Sequence, residues 1–167
     1  MKKLIRIGAA IIVAQLAGQA FAQAAAPADA EQANKLSLQF SPYAYHFTYD
    51  SEHKETVMVG LEREHADAKI DGVVLFTNSF GQPSIYVYPW GGVFHDLAGV
   101  KGFSFKWSVG LMYGYVDPYQ DKVPYNYKGF SPVILPALAY EFTPGWSVQL
   151  DLLGTAGLML QLNVLLH

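Results

Sequence analysis

The 167-residue chain has no cysteine, and only 15% of its residues are charged. The first absence excludes disulfide frameworks and metal sites built on thiolates. The second falls well short of the roughly 25% charge of an ordinary soluble domain, so the surface is too poorly charged for water alone. No Lys/Arg cluster is present to neutralise phosphates, which argues against a nucleic-acid partner. Beyond the N-terminal segment, no apolar run approaches the roughly 20 residues that a helix needs to cross a bilayer. What the chain does have is apolar and aromatic: 51% hydrophobic, 14% aromatic, with a net charge of only −3. That composition excludes disorder.

The N-terminus carries an address. Lys2, Lys3 and Arg6 precede an apolar run through Leu16, and Ala20-Phe21-Ala22 supplies a small-residue cleavage site. Residues 1–22 therefore read as a secretory signal peptide, too short and wrongly flanked to be a membrane span. Residues 23–34, rich in Gln, Ala, Pro and Asp, read as a flexible leader, and 35–167 as the folded domain. Removing the three N-terminal cations leaves eight basic against fourteen acidic side chains, a mature balance of −6.

In that domain the dominant signal has period two. Phe103, Phe105, Trp107, Val109, Leu111, Tyr113 and Tyr115 alternate with Ser104, Lys106, Ser108, Gly110, Met112 and Gly114. A helix would scatter these side chains around its axis, whereas a strand sorts them onto two faces. The same alternation marks 57–62, 146–152 and 158–166, and weaker strands fit 35–49, 69–80, 84–95 and 129–142. Eight such strands predict an all-β fold, an eight-stranded antiparallel outer-membrane β-barrel with its apolar face toward lipid. The bland competitor is a soluble periplasmic barrel with the faces exchanged. The large aromatics share one face and the small residues the other, which suits a cramped interior better than a wet surface. Tyr43, Tyr45, Tyr88, Trp90, Tyr113, Tyr115 and Trp146 are expected in interfacial girdles.

Loop lengths orient the barrel, because extracellular loops are the longer ones. The connection at 117–128 falls outside, and Thr143-Pro144-Gly145 falls on the periplasmic side. Inward positions then divide by depth. Met58, Gly60, Gly110, Met112, Gly114 and Met159 line the upper half, where glycines would leave volume and methionines an adaptable apolar wall. Glu62, Lys106, Gln149, Asp151, Gln161 and Asn163 line the lower half, where Lys106 requires Glu62 or Asp151 as a partner. An apolar pocket, open above and plugged below, suits one hydrocarbon chain. The alternative is that the glycines merely fit a tight barrel.

Polar residues gather at the upper rim: His46, Asn78, Ser79, Gln82, and Asp117, Tyr119, Asp121 and Lys122 in the long loop. A histidine beside a serine can deprotonate it, or a substrate hydroxyl directly, for acyl transfer, and an asparagine can orient the imidazole or donate to an oxyanion. Taken singly, each of these residues reads equally as a solvated rim or turn residue. His53, His65, His95 and His167 lack ligand spacing, so no metal site is expected. In the first strand the apolar face changes phase around Ser41-Pro42, as a bulge would make it do. Pro132 and Pro136 interrupt another strand. Seams at Pro42, Pro132 and Pro136 could admit a lipid sideways.

His46-Phe47-Thr48-Tyr49-Asp50, Gly60-Leu61-Glu62-Arg63, Phe76-Thr77-Asn78-Ser79-Phe80 and Pro132-Val133-Ile134-Leu135-Pro136 stand in an order and spacing that resembles the outer-membrane lipid A palmitoyltransferases, the PagP family. The resemblance spans roughly residues 40–166. It implies an integral outer-membrane enzyme, monomeric and without a cofactor, that moves a palmitoyl chain from a phospholipid donor to lipid A on the extracellular side. It places the family's essential His, Asp and Ser on His46, Asn78 and Ser79, with asparagine standing at the acidic position. Two alternatives remain open: a non-catalytic structural or lipid-binding barrel, and a lipid A deacylase. The cleavage site itself predicts that the exported protein begins at Gln23, which intact-mass measurement of the membrane-extracted protein will show as the loss of residues 1–22.

Overall fold

The structure is a computed structural model and describes residues 34–166. The signal peptide, most of the leader and His167 lie outside the described residues. Eight strands follow one another along the chain: β1 (Lys35–His46), β2 (Met58–Glu64), β3 (Ile70–Thr77), β4 (Pro83–Phe94), β5 (Phe103–Tyr113), β6 (Phe130–Thr143), β7 (Trp146–Leu152) and β8 (Gly157–Leu166). Each pairs antiparallel with its sequence neighbours, and β8 returns to β1, closing the sheet into a barrel. Closure leaves the sheet without an edge strand. The connections 47–57, 78–82, 114–129 and 153–156 share the upper end. The connections 65–69, 95–102 and 144–145 share the lower end with both chain termini of the barrel.

Alternation decides which way each side chain points. Leu38, Phe40, Val59, Leu75, Leu111, Ile134, Leu138, Val148, Leu150 and Leu160 face outward and are exposed. Gln39, Ser41, Glu62, Lys106, Ser108, Gln149, Asp151, Gln161 and Asn163 face inward and are buried. The protein is thus apolar outside and, in its lower half, polar within, the opposite of a soluble barrel. A closed sheet with this polarity is the architecture that satisfies all backbone groups in hydrocarbon, and it is the fold of outer-membrane β-barrels.

Two strands switch faces midway. In β1 the register against β8 shifts between Phe40 and Tyr43, at Pro42. Leu36, Leu38 and Phe40 are outward before the shift, and Tyr43 and Tyr45 after it. In β4 the register against β5 shifts between Val87 and Trp90, where Pro89 lies. Ser84, Tyr86 and Tyr88 point inward before that bulge and Gly91 and Val93 after it. Tyr88 is therefore buried in the lumen, at 3% exposure, and is not a girdle residue. Without the bulge it would have shared the outward face of Trp90. Tyr115 also leaves the girdle, because it lies beyond the end of β5 and turns over the cavity mouth. Tyr43, Tyr45, Trp90 and Trp146 are exposed as the aromatic pattern requires, and Tyr113 is half-buried against Phe130.

Of the two readings of the inward glycines, the structure bears out the tight barrel. A Cβ at Gly110 would lie 2.0 Å from the Val87 carbonyl oxygen, one at Gly114 would lie 1.9 Å from Ser84 Oγ, and one at Gly60 would touch Gln39 and Val74. They permit close approach of neighbouring groups and do not leave volume. Gly110 accommodates the β4 bulge, and Gly72, whose Cβ would lie 2.3 Å from the Tyr88 hydroxyl, makes room for that ring.

The outward face generates a prediction. Leu138, at mid-strand in β6, faces outward. On a lipid-facing wall a cation near the bilayer midplane is disfavoured by about 2–4 kcal/mol. Leu138→Arg is expected to lower unfolding stability in phospholipid vesicles by that amount, measured by denaturant titration, whereas a water-facing site would leave stability unchanged.

Candidate active site at the upper rim

His46 is the last residue of β1, and Ser79 lies in the hairpin just beyond β3. Thirty-three residues apart in sequence, they meet with His46 Nε2 2.6 Å from Ser79 Oγ. This is the geometry of a nucleophile and its general base. A neutral imidazole nitrogen can take the hydroxyl proton and return it to a leaving oxygen.

Asn78, the third residue of the expected set, is fully buried, and its side chain is committed elsewhere. Its Oδ1 accepts from the backbone N–H groups of Phe80 and Gln82, both at 3.0 Å. Its Nδ2 donates to Gln82 Oε1 at 3.2 Å and to the Gly114 carbonyl at 3.4 Å. With both ends occupied, Asn78 neither orients His46 nor faces an oxyanion. It fixes the turn that presents Ser79. Gln82 extends the clamp, donating from Nε2 to the Val116 carbonyl and accepting at Oε1 from the Val116 N–H.

Several partners of the dyad come from loops that sequence periodicity does not place. The His53 ring lies tilted against His46 with centroids 4.1 Å apart and meets Phe80 edge-on. Phe80 stacks on Tyr119 at 4.3 Å, with Lys122 Nζ 5.2 Å above the Phe80 ring. Lys122 also pairs with Asp50 at 3.3 Å. The Glu52 backbone N–H and the Lys122 ammonium hold the Asp50 carboxyl below its ordinary range. Burial raises the Tyr115 phenol above its ordinary pKa, and hydrogen bonding to Ser79 offsets this only in part. The connections 47–57, 78–82 and 114–129 are thereby tied together over one mouth.

Beneath this rim lies a cavity of about 610 Å³, in the size range of small-molecule sites. Ala44, Met58, Val74, Phe76, Met112 and Met159 give it apolar walls, while His46 and Ser79 line its entrance. Met58, Met112 and Met159 were expected in this wall. Gly60, Gly110 and Gly114 do not line it, and Val74, Phe76 and Tyr86 stand there instead. The alternation Ser84-x-Tyr86-x-Tyr88 carried the signal for the tyrosines, but Ile85 and Val87 make the opposite face equally apolar.

The floor is polar. Glu62 accepts from Lys106 Nζ in a close ion pair and from the Tyr88 hydroxyl at 3.0 Å. Lys106 also donates to Gln149 Oε1 at 2.9 Å, and Gln149 Nε2 donates to Asp151 at 2.8 Å. Asn163 Nδ2 reaches the same Gln149 oxygen at 3.0 Å. Glu62 is thus the direct counter-ion of Lys106, and Asp151 is joined through Gln149. Among the described residues, no group of three or more His, Asp or Glu is arranged to hold a metal ion.

The wall is incompletely paired in its upper half. Strand β2 accompanies β1 only to Ser41, so residues 42–46 pair with β8 alone. Strand β7 accompanies β6 only from Ala137, so residues 130–136 pair with β5 alone. Pro42 stands at the start of the first unpaired flank, and Pro132 and Pro136 lie in the second. Both β6 prolines keep regular register with β5, so the opening arises from β6 outrunning β7 and not from a broken β5–β6 ladder. The cavity lining includes Pro132, Ile134, Trp107 and Val109 from the outward face, so the hollow is not sealed from the side.

No protein-family model matches the chain, and no curated protein matches it. The fold alone sets the class, an eight-stranded barrel of the outer-membrane type.

The floor generates a prediction. Lys106→Met leaves Glu62 buried without its cation and is expected to cost about 3–5 kcal/mol. Adding Glu62→Gln, which retains an acceptor for Tyr88, is expected to recover most of that loss, as read by denaturant unfolding of the folded barrel in detergent.

Proposed function

We propose that the protein is an outer-membrane acyltransferase that moves a palmitoyl chain from a phospholipid to lipid A. The observation that carries this reading is the 2.6 Å contact between His46 Nε2 and Ser79 Oγ at the mouth of an apolar cavity. A serine–histidine pair in water serves many chemistries. One set above a methionine-lined hollow in a lipid-facing wall favours a substrate with a hydrocarbon tail and an ester at its head. The resemblance of the segments around His46, Ser79 and Pro132 to the lipid A palmitoyltransferases supplies the donor and the acceptor.

In this reading the acyl tail enters through an unpaired flank of the wall, beside Pro42 or between β6 and β7 at Pro132. Each buried methylene contributes about 0.8 kcal/mol toward holding it. With the ring proton on Nδ1, His46 Nε2 accepts the Ser79 proton as Oγ attacks the ester carbonyl. The tetrahedral intermediate collapses, and the departing glycerol oxygen takes that proton from the imidazolium. The acceptor hydroxyl then attacks the acyl-serine by the same steps in reverse. His46 serves equally as base if the acceptor hydroxyl attacks the phospholipid ester directly. Asn78 acts through the turn that holds Ser79. The rim faces the cell exterior, where the longest connection, 114–129, is expected, and the protein works without a cofactor.

The test is the lipid A mass spectrum of a deletion strain complemented with wild type, His46→Ala or Ser79→Ala. Wild type is expected to add one acyl chain. Each variant is expected to lose about 10²–10⁴-fold in rate while remaining folded. A shortened lipid A would mark a deacylase instead, with water as acceptor. An unchanged spectrum in every strain would mark a non-catalytic barrel.

A further inference from the structure

The mouth of the cavity carries an ion pair of its own. Of the Asp, Glu, Lys and Arg side chains among the described residues, Glu62, Lys106, Asp151 and Lys122 line the hollow. The first three form the floor, and Lys122 stands at the rim. Its Nζ lies 5.2 Å from the centre of the Phe80 ring. Phe80 directly follows Ser79, and its ring also meets His53, which packs against His46. The contacts of one ring thus connect Lys122 with the dyad. The partner of Lys122 is Asp50, whose Oδ2 accepts from Nζ at 3.3 Å while its Oδ1 accepts from the Glu52 N–H at 2.9 Å. The two side chains come from different connections, 114–129 and 47–57, and are 38% and 29% exposed. A pair this open to solvent is weakly held and exchanges partners readily.

An acyl ester seated at Ser79 with its tail in the cavity has its glycerol and phosphate outside, because tail and headgroup leave the ester in opposite directions. The phosphate therefore arrives at the rim, where Lys122 is the cation that also lines the hollow. Lys122 does not take up an anion freely. Displacing Asp50 leaves a bare carboxylate beside the incoming phosphate, and the two repel. The remainder of the rim adds to that repulsion. The upper connections carry Asp50, Glu52, Glu55, Asp117 and Asp121 against Lys54, Lys122 and Lys128. A ligand of net negative charge meets an acidic excess there. One that bears both a phosphate and a cation does not, since its own cation replaces Lys122 at Asp50.

We propose that Lys122 and Asp50 form the headgroup site for the acyl donor and select a zwitterionic phospholipid whose cation is a primary ammonium. This rests on the acyl-transfer reading above and names its donor. Lys122 Nζ donates to a phosphate oxygen, and the ammonium donates to Asp50 Oδ2, the oxygen that Lys122 leaves. Asp50 Oδ1 keeps its bond from the Glu52 N–H. One ion pair becomes two, and the charge stays balanced. A quaternary ammonium has no N–H to donate and retains only the attraction. A glycerol headgroup offers Asp50 no cation at all. Selectivity therefore resides in Asp50, and affinity for the phosphate in Lys122. Neither side chain touches the reacting atoms, so both act on donor binding and not on the chemical step.

The experiment uses the full chain with Ser79→Ala, which holds the donor without turning it over, folded in non-ionic detergent. It is equilibrated with equal amounts of dipalmitoyl phosphatidylethanolamine, phosphatidylcholine and phosphatidylglycerol and re-isolated, and the retained lipids are counted by mass spectrometry. Phosphatidylethanolamine is expected to exceed phosphatidylglycerol by about fivefold, with phosphatidylcholine between them. Ser79→Ala/Asp50→Asn is expected to retain the three about equally. Ser79→Ala/Lys122→Gln is expected to retain less of each and to lose phosphatidylglycerol most. In transfer assays on the Ser79 background, Asp50→Asn is expected to erase the same preference through KM, with kcat unchanged. A parent without selectivity, or a selectivity that survives Asp50→Asn, overturns the inference even where transfer runs at full rate. Retention that ignores Lys122→Gln overturns the phosphate contact. An Asp50-dependent selectivity in a protein that transfers no acyl chain leaves the headgroup site standing and overturns the proposed reaction.

Discussion

Hydrocarbon offers no hydrogen bonds, and the rest of the structure follows from that constraint. Every peptide group in the wall must find its partner in another strand, which requires closure and an even, antiparallel course. Closure then sorts the side chains into an outward and an inward set, greasy toward lipid and polar only in the lower half of the lumen, with no freedom to change sides once the register is set. The places where the ladder is incomplete, beside residues 42–46 and 130–136, therefore stand out as departures. They sit in the same half as the cavity and the His46–Ser79 contact, so the relaxation of the rule and the candidate chemistry share one end of the barrel.

The lumen is divided between two kinds of cohesion. Below, Glu62, Lys106, Tyr88, Gln149, Asp151 and Asn163 bond to one another, with Lys106 paired to Glu62 and Asp151 held by the Gln149 amide. Above, Met58, Phe76, Met112 and Met159 offer only soft contact surface. Flexible thioethers tolerate an occupant of variable shape, which a polar network of fixed geometry does not. The rim adds a third element, ring-to-ring packing among His46, His53, Phe80 and Tyr119, which ties the loops together without closing the mouth.

Much of this was legible in the residue order, because a period of two survives wherever a strand has one dry and one crowded face. All eight strands, the placing of Lys106 with Glu62 and Asp151 in the lower lumen and the gathering of His46 and Ser79 at one rim follow from it, but not which carboxylate pairs with Lys106. The bulge at Ser41-Pro42 was legible too, since the apolar phase visibly changes there. The bulge at Pro89 was not, because Tyr86, Val87, Tyr88 and Trp90 are bulky on both faces and conceal the slip that sends Tyr88 inside. The glycines stay open between volume and a tight fit in the sequence, because spacing cannot tell whether a neighbour fills the vacated space, as Val87 and Ser84 do. Asn78 was placed correctly but not its bonds, because a hairpin clamp and an oxyanion donor need the same residue type. His53 and Phe80 lie outside the strands, where no periodicity applies.

The floor has one further effect. The lumen could have offered water a continuous path, since its lower half is lined with groups that solvate ions well. Here those groups solvate each other, and the Tyr88 ring lies across them, seated against Gly72. Such a floor is expected to preserve a membrane's electrical resistance: the barrel is built as a vessel with a base, its hollow open at the top and along one side.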